Sequence, residues 1–232
     1  MSGARPDGGR RGLALFDLDG TLLPIDSDHA FGEHLVALGW ADAATHRAGN
    51  DAFYADYQAG RLDIAAYLAF ATRPLLGRPP DELEAALARF LAETIEPAIR
   101  PEARALVESH RARGDRLAVV TSTHDLVTRP IAAAFGIDTL IATRLVRDAD
   151  GRPTGGIDGT PSLREGKVVR VGEWLAGEGL AWSDFDRIAV YGDSTNDLPL
   201  LERATEPVAT NPSPALEAVA RERGWRVLHL FA

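Results

Sequence analysis

The chain has 232 residues, 45% of them hydrophobic and 25% charged. That is an ordinary globular composition, with room for one sizeable core or a domain carrying an insertion. The formal net charge of −9 argues against nucleic acid or an anionic membrane surface as a partner, although a local cation can still hold a phosphate group. The absence of cysteine removes disulfides, thiolate metal sites and a Cys nucleophile from consideration.

Residues 1–10, rich in Gly, Arg and Pro, are expected to form a flexible tail. The apolar run Leu13 to Phe16 is too short for a secretory signal. No segment approaches the ~20 apolar residues of a membrane span, so the cytoplasm is the expected location. The same run fits a buried parallel strand, ending in Asp17-Leu18-Asp19-Gly20-Thr21. The next strand is Leu117 to Val120.

Between these strands the apolar residues recur at helical spacing. Phe31, Leu35 and Leu38 share a face; so do Phe53 and Tyr57, and Ile64, Tyr67, Leu68 and Ala71. After Pro79-Pro80, Asp81 and Glu84 read as a capping pair ahead of Leu83, Leu87, Phe90 and Leu91. A plain crossover needs about a dozen residues. The much longer gap predicts an inserted all-helical domain over 27–96, dividing a core made of 11–26 and 97–232.

Beyond the core's crossover helix, Ala103 to Arg113, the pattern alternates. A helix is predicted from Leu126 to Phe135, a strand from Thr139 to Ala142, and a hairpin or loop from Arg147 to Pro161. A helix follows from Glu165 to Leu175, a strand from Ile188 to Tyr191, and a helix from Asp197 to Ala204. The last elements are a strand Pro207 to Ala209, a helix Pro214 to Arg223 and a strand Val227 to Leu230. Alternation of this kind predicts an α/β fold, a Rossmann-like parallel sheet with helices on both faces.

In such sheets ligands bind beyond the carboxyl ends of the strands. Asp17 and Asp19, Thr121 and Ser122, and Asp193 with Asn196 and Asp197 all follow predicted strands. A single Asp in such a place is commonly a cap or a turn residue, but here several are directed to one crevice. Asp17 and Asp19 stand two apart, so in extended chain they face one side. Crowding can raise one carboxyl's pKa and give a nucleophile beside a general acid–base. Alternatively, a divalent cation sits among Asp17, Asp19 and Asp193, an all-oxygen set suited to Mg²⁺. The chain has 24 arginines and one lysine, Lys167, which marks a position where a compact ammonium suits better than a planar guanidinium. His124, just past Thr121, reads as incidental.

Taken together, the Asp17–Thr21 motif, Thr121-Ser122, Lys167 and Gly192-Asp193-Ser194-Thr195-Asn196-Asp197 resemble the four motifs of the haloacid dehalogenase-like hydrolases. The helical insertion resembles the cap of the phosphoserine phosphatase branch. The resemblance implies a Mg²⁺-dependent phosphatase that hydrolyses a small-molecule phosphate monoester through an aspartyl-phosphate. Asp17 would be the nucleophile and Asp19 the acid–base. Thr121, Ser122 and Lys167 would hold the phosphate. Asp17, Asp19 (through its carbonyl), Asp193 and Asp197 would hold the metal. Asp26 or Asp28, and Asn196, would meet the substrate. Where phosphoserine phosphatases carry a carboxylate-gripping arginine, this chain has Ala71, with Arg61 or Arg73 as candidate replacements. Thr121-Ser122-Thr123 also replaces the usual Ser-Gly-Gly. Both departures point away from phosphoserine and toward an amine ester such as histidinol phosphate, whose ammonium Asp28 or Glu33 could receive. Two other functions remain open on these residues: a phosphotransferase or mutase on the same fold, and a non-catalytic module binding a phosphorylated ligand.

Overall fold

Strand β1 (Gly12–Phe16) is buried along its whole length, and its alternating side chains feed two cores. Ala14 and Phe16 enter one hydrophobic cluster, Leu13 and Leu15 the other, as the two-residue period of a strand requires. A strand buried on both faces belongs at the centre of a parallel sheet. In the computed structural model, which describes residues 12–231, β1 is flanked by β2 (Arg116–His124) and β6 (Arg187–Gly192), both parallel to it. The tail expected over 1–10 lies outside the described residues.

The sheet has six strands in the order β3-β2-β1-β6-β7-β8, where β3 is Leu140–Thr143, β7 Glu206–Thr210 and β8 Arg226–Leu228. Helices α6 (Pro101–Ala112) and α7 (Asp125–Ala134) cover one face through Ala103, Val107, Val127 and Ile131. Helices α8 (Glu165–Gly177), α9 (Leu198–Leu201) and α10 (Pro214–Glu222) cover the other through Val171, Leu175, Leu200 and Leu216. The expected α/β sheet with helices on both faces is therefore present.

Between β1 and α6 the chain forms α1 (Ser27–Ala37), α2 (Ala43–Gln58), α3 (Ile64–Thr72), α4 (Pro80–Phe90) and the single turn α5 (Glu96–Ala98). Phe31, Leu35, Leu83 and Phe90 of this segment continue the first core cluster, so the helices are packed onto the sheet domain through α1 and α4. The predicted hairpin is present as antiparallel β4 (Leu145–Arg147) and β5 (Pro153–Ile157). It packs against α3. Among the described residues no helix is long and apolar enough to cross a membrane.

Three local expectations need correction. Asp81 does not cap α4: the helix starts at Pro80, whose missing N–H is no loss in a first turn, and Asp81 instead faces the positive end of the helix dipole. The helix expected from Asp197 to Ala204 is a turn, Thr195–Asp197, followed by the four-residue α9, with Pro199 in its first turn, where the missing N–H loses no bond. Strand β2 does not stop at Val120 but runs to His124.

Candidate active site

The parallel strands bring their carboxyl ends to one edge, and the predicted acids gather there. Asp17 follows β1 directly, and its N–H donates to the Tyr191 carbonyl of β6 at 2.9 Å. The ladder between the two central strands thus continues through the Asp17 backbone and fixes it. Asp193 follows Gly192, the last residue of β6. Asp17, Asp193 and Asp197 each place a carboxylate oxygen within 4.8 Å of the others.

Two glycines make this approach possible. Gly20 sits at φ +77°, where side chains are strained, and a Cβ there would lie 2.6 Å from Asp193 Oδ2. A Cβ on Gly192 would lie 2.6 Å from Asp197 Cβ. Gly192→Ala is therefore expected to displace Asp197, lower stability by about 1–3 kcal/mol and reduce turnover more than tenfold. A thermal melt and a turnover assay on the purified variant check this; wild-type values in both would show that the loop has slack.

Lys167, in the first turn of α8, is fully buried, with Nζ 2.7 Å from Asp17 Oδ1 and 2.5 Å from Asp197 Oδ1. Burial alone pushes an ammonium pKa down, but Asp17 and Asp197 together hold it well above its ordinary value. Asp197 thus does not cap α9, as its position suggested. Its second oxygen accepts the Ser194 N–H at 3.3 Å instead.

The carboxyls are short of positive charge. Burial raises Asp17 to about 7 against the pull of Lys167, with Asp197 adding to the rise. Burial, then the nearby Asp17 and Asp197, hold Asp193 well above the carboxylate range. Three carboxylates face one ammonium, and Asp17 Oδ2 and Asp193 Oδ1 are buried without any hydrogen-bond partner. The orphaned Asp193 oxygen and the charge imbalance of this all-carboxylate set fit a hard divalent cation with oxygen preference. No histidine or thiol accompanies them, which disfavours zinc.

Asp19 points away from this trio. Its Oδ1 accepts the Ser27 N–H at 2.7 Å, and its Oδ2 accepts the Thr123 hydroxyl at 3.0 Å. Burial, then repulsion from Asp26, raise it to about 7. Thr123 is the residue that departs from the small-residue pattern of the second motif, and here its hydroxyl orients Asp19. Thr121 and Ser122 line the same cavity.

The cavity opens between the strand ends and α1–α3. Asp17, Asp19, Asp26, Asp28 and Thr121–Thr123 form one side, and Asn50, Phe53, Tyr54, Tyr57 and Tyr67 much of the other. Asp26 caps α1, its Oδ1 accepting the N–H groups of Asp28 (3.0 Å) and His29 (2.8 Å). Burial raises it to about 6. Asp28 Oδ2 accepts the Tyr67 hydroxyl at 2.7 Å, and its Oδ1 lies 3.5 Å from Nε2 of the buried His124. His124, read as incidental, is thus a neighbour of a cavity carboxylate.

Several expectations fail here. Arg61 pairs with Asp56 and Arg73 is exposed; neither lines the cavity. Glu33 is bound by Arg47 outside it. Asn196 does not face the cavity either, because its amide joins Arg164 to the Tyr57 carbonyl. The helical stripes through Phe53, Tyr57, Ile64 and Tyr67, which spacing alone could not assign to a site, line the cavity. The sequence did carry a sign of this. Asn50, Phe53, Tyr54 and Tyr57 share one helical face, and a face that mixes tyrosine hydroxyls with an amide carries polar groups that a plain core would leave without partners.

A parallel sheet with a carboxylate trio and one lysine at its carboxyl edge, under helices inserted after the first strand, defines a hydrolase acting on phosphate esters. The haloacid dehalogenase-like hydrolase family matches residues 14–202. The chain belongs to that family and is one of its phosphatases. A histidinol-phosphatase from Neisseria meningitidis is 46% identical over 219 residues, spanning 94% of this chain and 99% of that protein. A solved protein of unknown function from Bordetella pertussis Tohama I superposes with a TM-score of 0.90 at 48% identity, covering 96% of this chain and all (100%) of that one. A phosphoserine phosphatase bearing a phospho-aspartyl intermediate analogue shares the fold, with a TM-score of 0.65 at 22% identity over 94% and 93% of the two chains.

Proposed function

We propose that this phosphatase hydrolyses a small phosphate monoester whose alcohol carries an amine and a ring but no carboxylate, of which histidinol phosphate is the best-fitting example. The observation that carries the reading is the cavity wall. Asp26 and Asp28 stand among Phe53, Tyr54, Tyr57 and Tyr67, and among the described residues no arginine or lysine lines the cavity. A substrate carboxylate would meet the like charge of Asp26 and Asp28 with only His29 and neutral donors such as Asn50 to offset it, whereas an ammonium meets two carboxylates and π-faces. The name of the Neisseria relative, aligned over nearly its whole length, supports the same choice.

The chemistry follows from the two cavity acids. Asp17 Oδ1 is held by Lys167, which leaves Oδ2 to attack phosphorus. Asp19, with its pKa near 7, can hold the proton that the departing alkoxide takes up as the ester P–O bond breaks. Deprotonated, it then takes a proton from the water that attacks the aspartyl-phosphate, releasing phosphate and restoring Asp17. Lys167 neutralises charge between the nucleophile and the phosphate, and Thr121 and Ser122 receive its oxygens. Mg²⁺, held by Asp17, Asp193, Asp197 and the Asp19 carbonyl, would supply the remaining positive charge. The helices of 27–96 act as a cap over the core of 11–26 and 97–232, excluding water from the first step.

Steady-state kinetics with Mg²⁺ should give histidinol phosphate a kcat/KM at least about a hundredfold above phosphoserine. Asp26→Asn should raise KM for histidinol phosphate about tenfold or more, the scale of one lost charged hydrogen bond, with p-nitrophenyl phosphate little affected. Preference for phosphoserine would sink the amine reading. Turnover that depends on an added alcohol acceptor would instead indicate a phosphotransferase.

A further inference from the structure

Behind the cavity, one arginine ties the core to the helical insertion. Arg164 precedes α8 and adopts φ +51°, ψ −120°, the geometry of the first central position of a type II′ turn, which glycine favours. Its carbonyl accepts the N–H of Lys167 at 3.0 Å. Its Nε donates to Asn196 Oδ1 at 3.1 Å, and Asn196 Nδ2 donates to the Tyr57 carbonyl at 3.3 Å. Its Nη2 lies beside Gly60, in the turn that ends α2.

The last carbonyls of a helix carry partial negative charge, so a guanidinium at this turn is attracted to the end of α2. The side chain of Tyr57 lines the substrate cavity while its carbonyl takes this bond. Arg164, acting through Asn196, thus joins three things: the backbone turn that sets Lys167, the motif loop carrying Asn196, and the helix end that places Tyr57. An arginine in a conformation suited to glycine is strained, and only its surroundings hold it there.

We propose that Arg164 is a positioning residue that clasps the helical insertion to the core, setting cavity closure and the lysine helix together. The clasp rests on membership of the phosphatase family and not on the amine reading of the substrate. Two variants separate the clasp from backbone strain. Arg164→Gly removes the side chain and relieves the strained φ. Arg164→Ala removes the side chain and keeps the strain.

Both variants should lose about tenfold in kcat/KM for p-nitrophenyl phosphate. Both should show faster amide hydrogen exchange over residues 55–62 and in the first turn of α8. Their melting temperatures should differ, with Arg164→Gly at or above wild type and Arg164→Ala at least about 3 °C lower than Arg164→Gly. Wild-type exchange and kinetics in both variants would overturn the proposal. So would activity that falls only in step with stability, since the arginine would then merely hold the fold. Hydrogen exchange needs no substrate, so the clasp can fail or stand whichever ester the enzyme takes.

Discussion

Asp17→Asn should fold normally and lose at least about a thousandfold in turnover. The amide is isosteric, and Lys167 keeps its contact with Asp197, so no buried charge is left without a partner. The backbone N–H of residue 17 still donates to the Tyr191 carbonyl. What disappears is the unpartnered Oδ2, the atom free to attack phosphorus. Assays with p-nitrophenyl phosphate and histidinol phosphate, with Mg²⁺ and with chelator, measure the loss. Acid-quenched wild type should carry covalent phosphate during turnover, and Asp17→Asn should carry none. A variant within tenfold of wild type would remove Asp17 from the nucleophile's role.

Lys167→Met should be the most damaging substitution to stability. Methionine fills most of the volume but leaves Asp17 and Asp197 buried without their cation, a loss of about 3–5 kcal/mol for a broken buried pair. The penalty should depend on pH, and its sign follows from the acids. Asp17 and Asp19 titrate near 7 in the folded protein against an ordinary 3.8. Between those values the folded state binds more protons than the unfolded state, so without metal their contribution to stability falls as pH rises from about 4 to 7. Lys167 itself stays charged across this range, since its pKa is raised further above an already alkaline value. Removing it takes away the interaction that opposes the rise of Asp17, so the variant should suffer more at pH 8 than at pH 5. Urea melts in chelator at the two pH values test this. Equal penalties would mean that the side chain acts by packing alone. For the same reason Mg²⁺ should stabilise wild type more at pH 7.5 than at pH 5, because protons compete for its ligands.

The parts of the site that lie along the chain in motifs were readable from sequence. An apolar run ending in Asp17 and Asp19 has one sensible place in an α/β sheet, and the lone Lys167 stood out against 24 arginines. What escaped was set by contacts between distant segments. Phe53, Tyr57 and Tyr67 obey the same helical spacing whether they face a core or a cavity, and spacing cannot tell the two apart. Arg164 looked like one arginine among many, because nothing local reveals the glycine-like backbone conformation imposed on it. The motif implies a substrate contact for Asn196, yet its amide is committed to Arg164 and Tyr57. Arg61, a candidate cavity cation on sequence, is instead paired with Asp56, five residues away.

The placing of β1 at the middle of the sheet also bears on how the protein is made. Strand β1 finds its neighbours only when β2 and then β6, more than a hundred residues later, have followed it from the ribosome. Lys167 stands 150 residues from Asp17. Such distant pairing folds slowly. A nascent chain truncated before β6 would expose an unpaired edge of β1 and would be inert as a phosphatase, whatever its helices had already formed. Ribosome-bound fragments ending before and after residue 197 should therefore differ sharply in resistance to protease, with activity confined to the longer set.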